Sequence, residues 1–214
     1  MNKAEIKEFF TRLERDNPEP EGELNYVNDY TMLVAVVLSA QSTDIGVNKA
    51  TEKLFQQVTK PEEMVALGEE GLKEHIKTIG LYNSKAKNVI KLSEDLIAHH
   101  NSTVPQAREE LVKLAGVGRK TANVVLNMAF GQPTIAVDTH IFRVSNRTSL
   151  APGKTANAVE AKLEKKIPAE FMLHAHHWLI LHGRYICKAR TPLCEVCPVT
   201  DLCRYYKKHV KAKG

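Results

Sequence analysis

Residues 114–122 read Leu-Ala-Gly-Val-Gly-Arg-Lys-Thr-Ala and join two segments with helical periodicity. The turn contains Gly116 and Gly118, and glycine permits positive φ and close approach of another chain. The second helix begins with Arg119 and Lys120, and amide groups at a helix N-terminus favour an anion, most naturally a phosphate. An ordinary helix–helix turn with a solvated basic pair has the same pattern. The stretch therefore predicts a helical hairpin and leaves phosphate binding as a hypothesis.

Helical periodicity continues along almost the whole chain. One buried stripe with i, i+3, i+4, i+7 spacing is formed by Ile6, Phe9, Phe10 and Leu13. Residues 32–38 are apolar all round, as expected of a central helix. Pro105 is expected to open a helix through Leu114, and the next helix spans 119–130. We count about ten helices and no convincing strand pair, so the sequence predicts an all-α fold.

Composition and charge are those of an ordinary globular protein with two basic segments. The 214 residues are 43% hydrophobic and carry a formal net charge of +5, which excludes general disorder. Residues 184–214 sum to +6 and residues 113–147 to +4, so the remainder is net acidic. Such segments suit phosphate contact, although the tail after Arg204 also fits a solvated basic end.

The sequence contains no recognisable export signal or membrane span. The first ten residues intersperse acidic residues, and the longest nearly apolar run, 32–40, has nine residues against roughly 20 for a span. We therefore expect a cytoplasmic protein and a monomer.

The cysteines are confined to the C-terminal region, at Cys187, Cys194, Cys197 and Cys203. In a reducing compartment this density indicates a metal or cluster site. Structural zinc sites usually show two separated CxxC knuckles, and this chain has one. A [4Fe–4S] cluster also takes four cysteines, with more varied spacings, so spacing alone leaves both open. A group of histidines lacks HExxH order and is expected to be solvated or hydrogen-bonded instead of binding a second metal: His174, His176, His177 and His182.

Several motifs together resemble the endonuclease III family of DNA glycosylases. Residues 114–122 are similar to its helix-hairpin-helix motif, and Val-Asp-Thr-His-Ile-Phe-Arg at 137–143 is similar to its acidic motif. Leu-Ser-Ala-Gln-Ser-Thr-Asp at 38–44 and Ile-Gly-Leu-Tyr-Asn-Ser-Lys-Ala at 79–86 resemble its DNA-wedge segments. The cysteine pattern also matches, so the resemblance covers nearly the whole chain. One departure is Ala115, where the family usually has proline; it removes no donor or charge.

The resemblance implies a bifunctional DNA glycosylase and AP lyase that removes oxidised pyrimidines in base-excision repair. Lys120 would attack the sugar C1′, release the base and form a Schiff base, and β-elimination would nick the strand. Asp138 would stabilise the positive sugar, although by sequence alone it also suits the cap of the following helix. The helix N-terminus and Arg119 both disfavour the ammonium form of Lys120, which agrees with a nucleophilic role.

The resemblance also assigns DNA contacts. Gln41 and Leu81 would fill the space left by an extruded nucleotide, although a polar loop residue and a hydrophobic helix-end contact explain them equally from sequence. The other residues expected at DNA are Gly116, Val117, Gly118, Arg119, Thr121, His140, Arg143, Lys188 and Arg190.

The implied organisation has two domains. Residues 22–132 would form a six-helix domain with the helix-hairpin-helix at about 107–130. Residues 1–21 and 133–214 would form a helical domain in which the four cysteines hold a structural [4Fe–4S] cluster, with DNA and the active site in the cleft between the domains.

Two other functions share part of this motif set. A related adenine glycosylase lacks the lysine and carries an additional C-terminal domain, so Lys120 and the chain end at Gly214 argue against it. A non-catalytic iron–sulfur DNA-binding or damage-sensing protein would not need Lys120 together with Asp138.

Overall fold

The computed structural model describes residues 1–210, and every regular element in them is helical, which confirms the all-α class. Lys211 and Lys213 of the basic tail lie outside the described residues. Contacts divide the chain into two compact units. One is Gly22–Gln132; the other joins Met1–Glu21, which carries helix α1 (Lys3–Asp16), to the chain from Pro133 onward.

The unit Gly22–Gln132 is built around a central apolar helix. Its helices are α2 (Asp29–Leu38), α3 (Asp44–Thr51), α4 (Leu54–Gln57), α5 (Pro61–Ile76), α6 (Tyr82–His100), α7 (Arg108–Leu111) and α8 (Arg119–Phe130). Every residue of α2 from Tyr30 to Leu38 is buried, as expected of a helix that is apolar all round. Helix α2 packs against α8, so the core supports the second helix of the hairpin directly.

The first helix of the hairpin is shorter than its sequence predicts. The expected helix through Leu114 is wrong, because α7 ends at Leu111. The chain then tightens into turns in which the Leu114 amide donates to the Leu111 carbonyl at 3.1 Å and the Val117 amide to the Leu114 carbonyl at 3.1 Å. Leu114 and Val117 are both buried within these tighter turns.

The second unit has its own aromatic core. Its elements after Pro133 are α9 (Thr139–Thr148), α10 (Ala156–Lys166), a 3₁₀ turn (Ala169–Phe171), α11 (Met172–Leu181), a π-helical turn (His182–Ile186), a 3₁₀ turn (Cys194–Val196) and α12 (Arg204–His209). The predicted stripe of α1 is buried here. Phe10 stacks on Phe171 with ring centroids 5.7 Å apart and lies 6.3 Å from Trp178. Helix α1 thus packs with the C-terminal part of the chain.

Candidate active site and cluster loop

The two glycines of the hairpin have different conformations. Gly116 has φ of 77°, and a Cβ there would lie 3.1 Å from Asn88 and 3.2 Å from Val37. Gly118 has φ of −89° and ψ of 175°, an extended conformation, and a Cβ there would meet no atom within 4 Å. Gly116 therefore meets a steric and conformational need of the fold, whereas Gly118 leaves open space in front of its backbone.

An exposed pair of cations stands at the start of α8. Gly118 is the N-cap and supplies no side-chain cap, so the first amides of the helix keep their capacity to bind an anion. The side chains of Arg119 and Lys120 are exposed, and Lys120 has no ion-pair partner among residues 1–210. Thr121 is half-buried, and the Val117 side chain is buried, so only its backbone is open to a ligand.

Asp138 caps helix α9, as its sequence position suggests. Its Oδ1 accepts a hydrogen bond from the Ile141 amide at 2.8 Å, and the side chain remains partly exposed. Its second carboxylate oxygen accepts no hydrogen bond from the described part of the chain. The capping bond fixes the direction of the carboxylate, and a charged group at a helix N-terminus is itself favoured.

Arg143 and His140 follow Asp138 on the same helix and face the cluster loop. The Arg143 Nε donates to the Cys187 carbonyl at 2.9 Å, and its Nη2 donates to the Gly183 carbonyl at 2.7 Å. The His140 Nδ1 lies 3.1 Å from the same Nη2. These bonds commit the guanidinium to the protein backbone, and its contact with DNA stays a prediction.

The four cysteines line one small cavity, together with Arg147 and His182. All four are partly exposed free thiols, and no group of three or more Cys, His, Asp or Glu side chains within residues 1–210 is arranged to bind a single metal ion. Burial raises the pKa of Cys197 to about 11 and raises that of Cys203. These side chains are therefore thiols, which would have to lose their protons to bind iron. A shared cavity lined by four thiols fits the donor set of a [4Fe–4S] cluster.

Arg147 was not singled out from sequence, yet it holds the first part of the cluster loop. Its Nη1 donates to the Lys188 carbonyl at 2.7 Å and lies 3.6 Å from the Cys187 Sγ. Its Nη2 donates to the Ala189 carbonyl at 2.6 Å, and the guanidinium lies 4.9 Å from the centre of the Tyr205 ring. The only available signal was its position four residues after Arg143, on the same face of α9.

The predicted phosphate-binding side chains of the loop point outward, while the histidines lie inside. Lys188 and Arg190 are exposed. His182 is buried, which lowers its pKa to about 4, and its Nε2 lies 3.8 Å from the Cys197 Sγ. His176 and His177 are also buried, and the His176 Nδ1 accepts a 3.4 Å hydrogen bond from the Ala136 amide. The sequence predicts histidines that are either solvated or hydrogen-bonded. Burial of these three rings contradicts the first alternative, and the hydrogen bond to His176 agrees with the second.

Gln41 and Leu81 lie on neighbouring loops of the Gly22–Gln132 unit. Both have left-handed backbone conformations, with φ of 55° and 61°, which is uncommon for residues other than glycine. Both side chains are exposed, Leu81 by 57% of its surface. A Cβ at Gly80 would lie 3.8 Å from the Gln41 carbonyl oxygen, so the two loops are in contact. The two touching loops that carry Gln41 and Leu81 are called the double loop. An exposed leucine and a glutamine project from it, each on a strained backbone.

Comparisons with known proteins agree with this geometry. Residues 34–169 match the family model described as HhH-GPD superfamily base excision DNA repair protein, and residues 187–203 match the iron–sulfur binding domain of endonuclease III. Endonuclease III of Haemophilus influenzae is 60% identical over 97% of this chain and 99% of its own. A solved non-covalent endonuclease III–DNA complex has a TM-score of 0.92 at 45% identity, covering 99% of both chains. A trapped covalent endonuclease III–DNA intermediate has a TM-score of 0.91 at 45% identity, covering 97% of this chain and 98% of its own.

The fold and the cluster loop define a base-excision DNA glycosylase of the helix-hairpin-helix superfamily. Within that superfamily the chain belongs to the endonuclease III family. It is a bifunctional DNA glycosylase and AP lyase that carries a [4Fe–4S] cluster, which confirms the enzyme class and the cofactor expected from its motifs. The cluster is favoured over zinc, and the lyase over the adenine glycosylase and the non-catalytic binding protein. None of the helices formed by residues 1–210 has the length and apolar character needed to cross a bilayer.

Proposed function

We propose that Lys120 is the nucleophile with which this enzyme excises oxidised pyrimidines from duplex DNA. The observation that carries the proposal is an exposed amine without an ion-pair partner in residues 1–210, in the first turn of a helix whose amides are left uncapped by Gly118. A lysine held by a carboxylate would have to break that ion pair before it could attack carbon. The neighbouring amides and Arg119 suit the phosphates that flank the damaged nucleotide.

The chemistry assigns one role to each residue of the pair. The Lys120 amine forms a bond to the sugar C1′ as the bond to the base breaks, and the base departs with that electron pair and takes up a proton. The nitrogen then loses one proton, and the C1′–O4′ bond breaks as O4′ takes up a proton. The product is a protonated Schiff base, which acidifies the C2′ hydrogen. Removal of that proton expels the 3′ phosphate and nicks the strand. The Asp138 carboxylate stabilises positive charge on the sugar and assists these proton transfers through the oxygen that does not cap α9.

Base extrusion is proposed to depend on the double loop at Gln41 and Leu81. The DNA partner is duplex DNA with damaged bases or abasic sites, and the two similar solved structures are DNA complexes. A target sugar within the duplex can be reached only when its nucleotide leaves the stack. Leu81 is placed to wedge into the stack and Gln41 to hydrogen-bond the unpaired base. We further infer a cytoplasmic, nucleoid-associated monomer that binds DNA through the hairpin and the double loop.

The test of Lys120 is covalent trapping on DNA with an abasic site in the presence of borohydride. Lys120→Ala should abolish the adduct and lower lyase turnover by about 10³-fold or more, because no other group supplies the Schiff base. Lys113→Ala removes an equal charge from the same hairpin, where Lys113 is ion-paired to Glu110, and should keep the adduct. An adduct of normal yield in Lys120→Ala would overturn the assignment.

Asp138 is tested by separating its charge from its capping bond. Asparagine caps a helix as well as aspartate does, so Asp138→Asn should keep the stability of α9 and bind DNA while turnover falls by about 10²-fold or more. Asp138→Ala should lose about 1 kcal/mol of stability in addition. Unchanged turnover of Asp138→Asn would remove the carboxylate from the mechanism.

A further inference from the structure

A buried lysine joins the two loops that carry Gln41 and Leu81. Lys85 is 4% exposed, and its ammonium donates a 2.7 Å hydrogen bond to the Ser42 hydroxyl. No carboxylate in residues 1–210 forms an ion pair with it. Burying an ammonium without a carboxylate is unfavourable, and lysine is almost never buried unless it is paired. A feature that costs stability in the core of a unit calls for a compensating role.

The position of this bond supplies that role. Ser42 directly follows Gln41. Lys85 lies in the first turn of α6, and the Lys85 backbone amide donates to the Leu81 carbonyl at 3.0 Å. The bond therefore links groups adjacent to both left-handed residues, 43 residues apart in the chain. Left-handed conformations cost free energy at non-glycine residues and persist only where surrounding contacts enforce them.

Other contacts hold the remaining sides of the double loop. The Thr43 hydroxyl accepts a hydrogen bond from the Gly46 amide at 3.1 Å and caps α3. A Cβ at Gly46 would lie 3.8 Å from Ile79, which immediately precedes Gly80. The backbone of both loops is thus anchored to helices, and the Lys85–Ser42 bond adds a direct polar side-chain link between them.

We propose that Lys85 and Ser42 form a positioning clamp that keeps Gln41 and Leu81 together as one preformed wedge. This inference rests on the wedge role proposed above. A wedge assembled before DNA binds does not lose loop entropy when it enters the stack, so insertion is easier. Because Lys85 is buried, it acts through the loops and not by touching the phosphates.

The clamp predicts a defect that depends on how tightly the target base is stacked. Ser42→Ala and Lys85→Met should excise a lesion from a fully paired duplex about 10- to 100-fold more slowly, the ratio expected for loss of one hydrogen bond to a charged group. On a duplex in which the same lesion lies in an unpaired bulge, turnover should stay within twofold. Extrusion is followed separately by the fluorescence of 2-aminopurine placed next to the lesion.

Matched variants separate the clamp from a general loss of structure. Ser42→Thr keeps the hydroxyl and should restore the rate on paired DNA, and the double variant Ser42→Ala/Lys85→Met should be no slower than the slower single variant. Lys87→Met removes an exposed lysine from the same helix and should behave as wild type. Thermal unfolding of each variant shows whether it folds. If Lys85→Met does not fold, the comparison of Ser42→Ala with Ser42→Thr still tests the clamp.

The outcomes distinguish the clamp from the wedge. Equal slowing on paired and bulged DNA, or no slowing at all, would overturn the clamp. Gln41→Ala and Leu81→Ala are measured alongside on both substrates. If they too show no selective loss on paired DNA, the wedge assignment itself fails; if they show it and Ser42→Ala does not, only the clamp fails.

Discussion

Gly116 and Gly118 lie two residues apart in the hairpin and have different structural roles. Gly116 adopts φ of 77° and packs against Asn88 and Val37, so it is required by the fold. Gly118 is extended and faces open space, so any need for glycine there comes from what approaches it. A GxG pattern does not distinguish these roles, because backbone conformation and neighbours decide them.

Alanine should affect mainly protein stability at Gly116 and mainly DNA binding at Gly118. Gly116→Ala should lower the free energy of unfolding by about 1–3 kcal/mol, since it adds a strained φ and a close contact. Gly118→Ala should cost less stability, about 0.5–1 kcal/mol for alanine at an N-cap, and should weaken binding to abasic-site DNA, because its methyl group occupies the space a phosphate would use. Urea unfolding and DNA titration at fixed salt check both. Equal destabilisation by the two variants would contradict this division.

Helix α9 connects the proposed catalytic carboxylate to the cluster loop. Asp138 is its N-cap, and Arg143 and Arg147 hold the carbonyls of residues 183 and 187–189. Gly183 packs so closely that a Cβ there would lie 2.8 Å from the His140 Cβ. The loop that carries the first cysteine is therefore docked on the helix that orients Asp138. Through these contacts, loss of the cluster would be transmitted to the helix that orients Asp138.

Replacing Arg147 should loosen the cluster before it unfolds the protein. Arg147→Ala leaves the carbonyls of residues 188 and 189 without their donor and removes the contact to the Cys187 sulfur. Supporting groups around metal ligands typically affect retention by 10- to 100-fold. We expect the visible absorption of the cluster to decay about tenfold faster in the presence of a chelator.

Arg147→Lys is the matched control, because it keeps the charge but not the bidentate donor geometry of the guanidinium. Its rate of cluster decay should lie between those of Arg147→Ala and wild type. Identical decay rates for all three proteins would show that Arg147 does not hold the loop.

At the scale of the whole molecule, buried histidines make stability depend on pH. Burial lowers the pKa of His182 to about 4, and burial with the nearby His174 lowers that of His177. The unfolded chain titrates these rings near pH 6.5. Between pH 6.5 and about 4 the unfolded state therefore binds protons that the folded state does not. Stability is present in full above pH 6.5 and is lost as the pH falls through that window.

We expect the free energy of unfolding to decrease by up to about 1.4 kcal/mol per pH unit for each ring as the pH is lowered from 6.5. Urea unfolding from pH 7 to 5, under conditions in which the cluster absorption is retained, measures the slope. His177→Gln should show a shallower slope than wild type, whereas replacement of the exposed His99 by glutamine should not change it. A slope unaffected by His177→Gln would assign the acid sensitivity to other groups.

Local sequence patterns are sufficient to predict the helical class, the central buried helix, the hairpin and the four-cysteine set. Each of these depends on residues close together in the chain: the periodicity of α1, the apolar run of α2, or the spacing from Cys187 to Cys203. Local periodicity and residue chemistry are sufficient for such features. Together with the motifs, they also led to the family to which the chain belongs.

The contacts made by Arg143, Arg147 and Lys85 are seen only in the tertiary structure. Arg143 reaches the Cys187 carbonyl 44 residues away, Arg147 reaches Lys188 41 residues away, and Lys85 reaches Ser42 43 residues away. The early end of α7 at Leu111 is likewise seen only in the structure, where i to i+3 hydrogen bonds carry the chain on to Val117. Contacts between residues far apart in the chain depend on how helices pack, and periodicity does not report that packing.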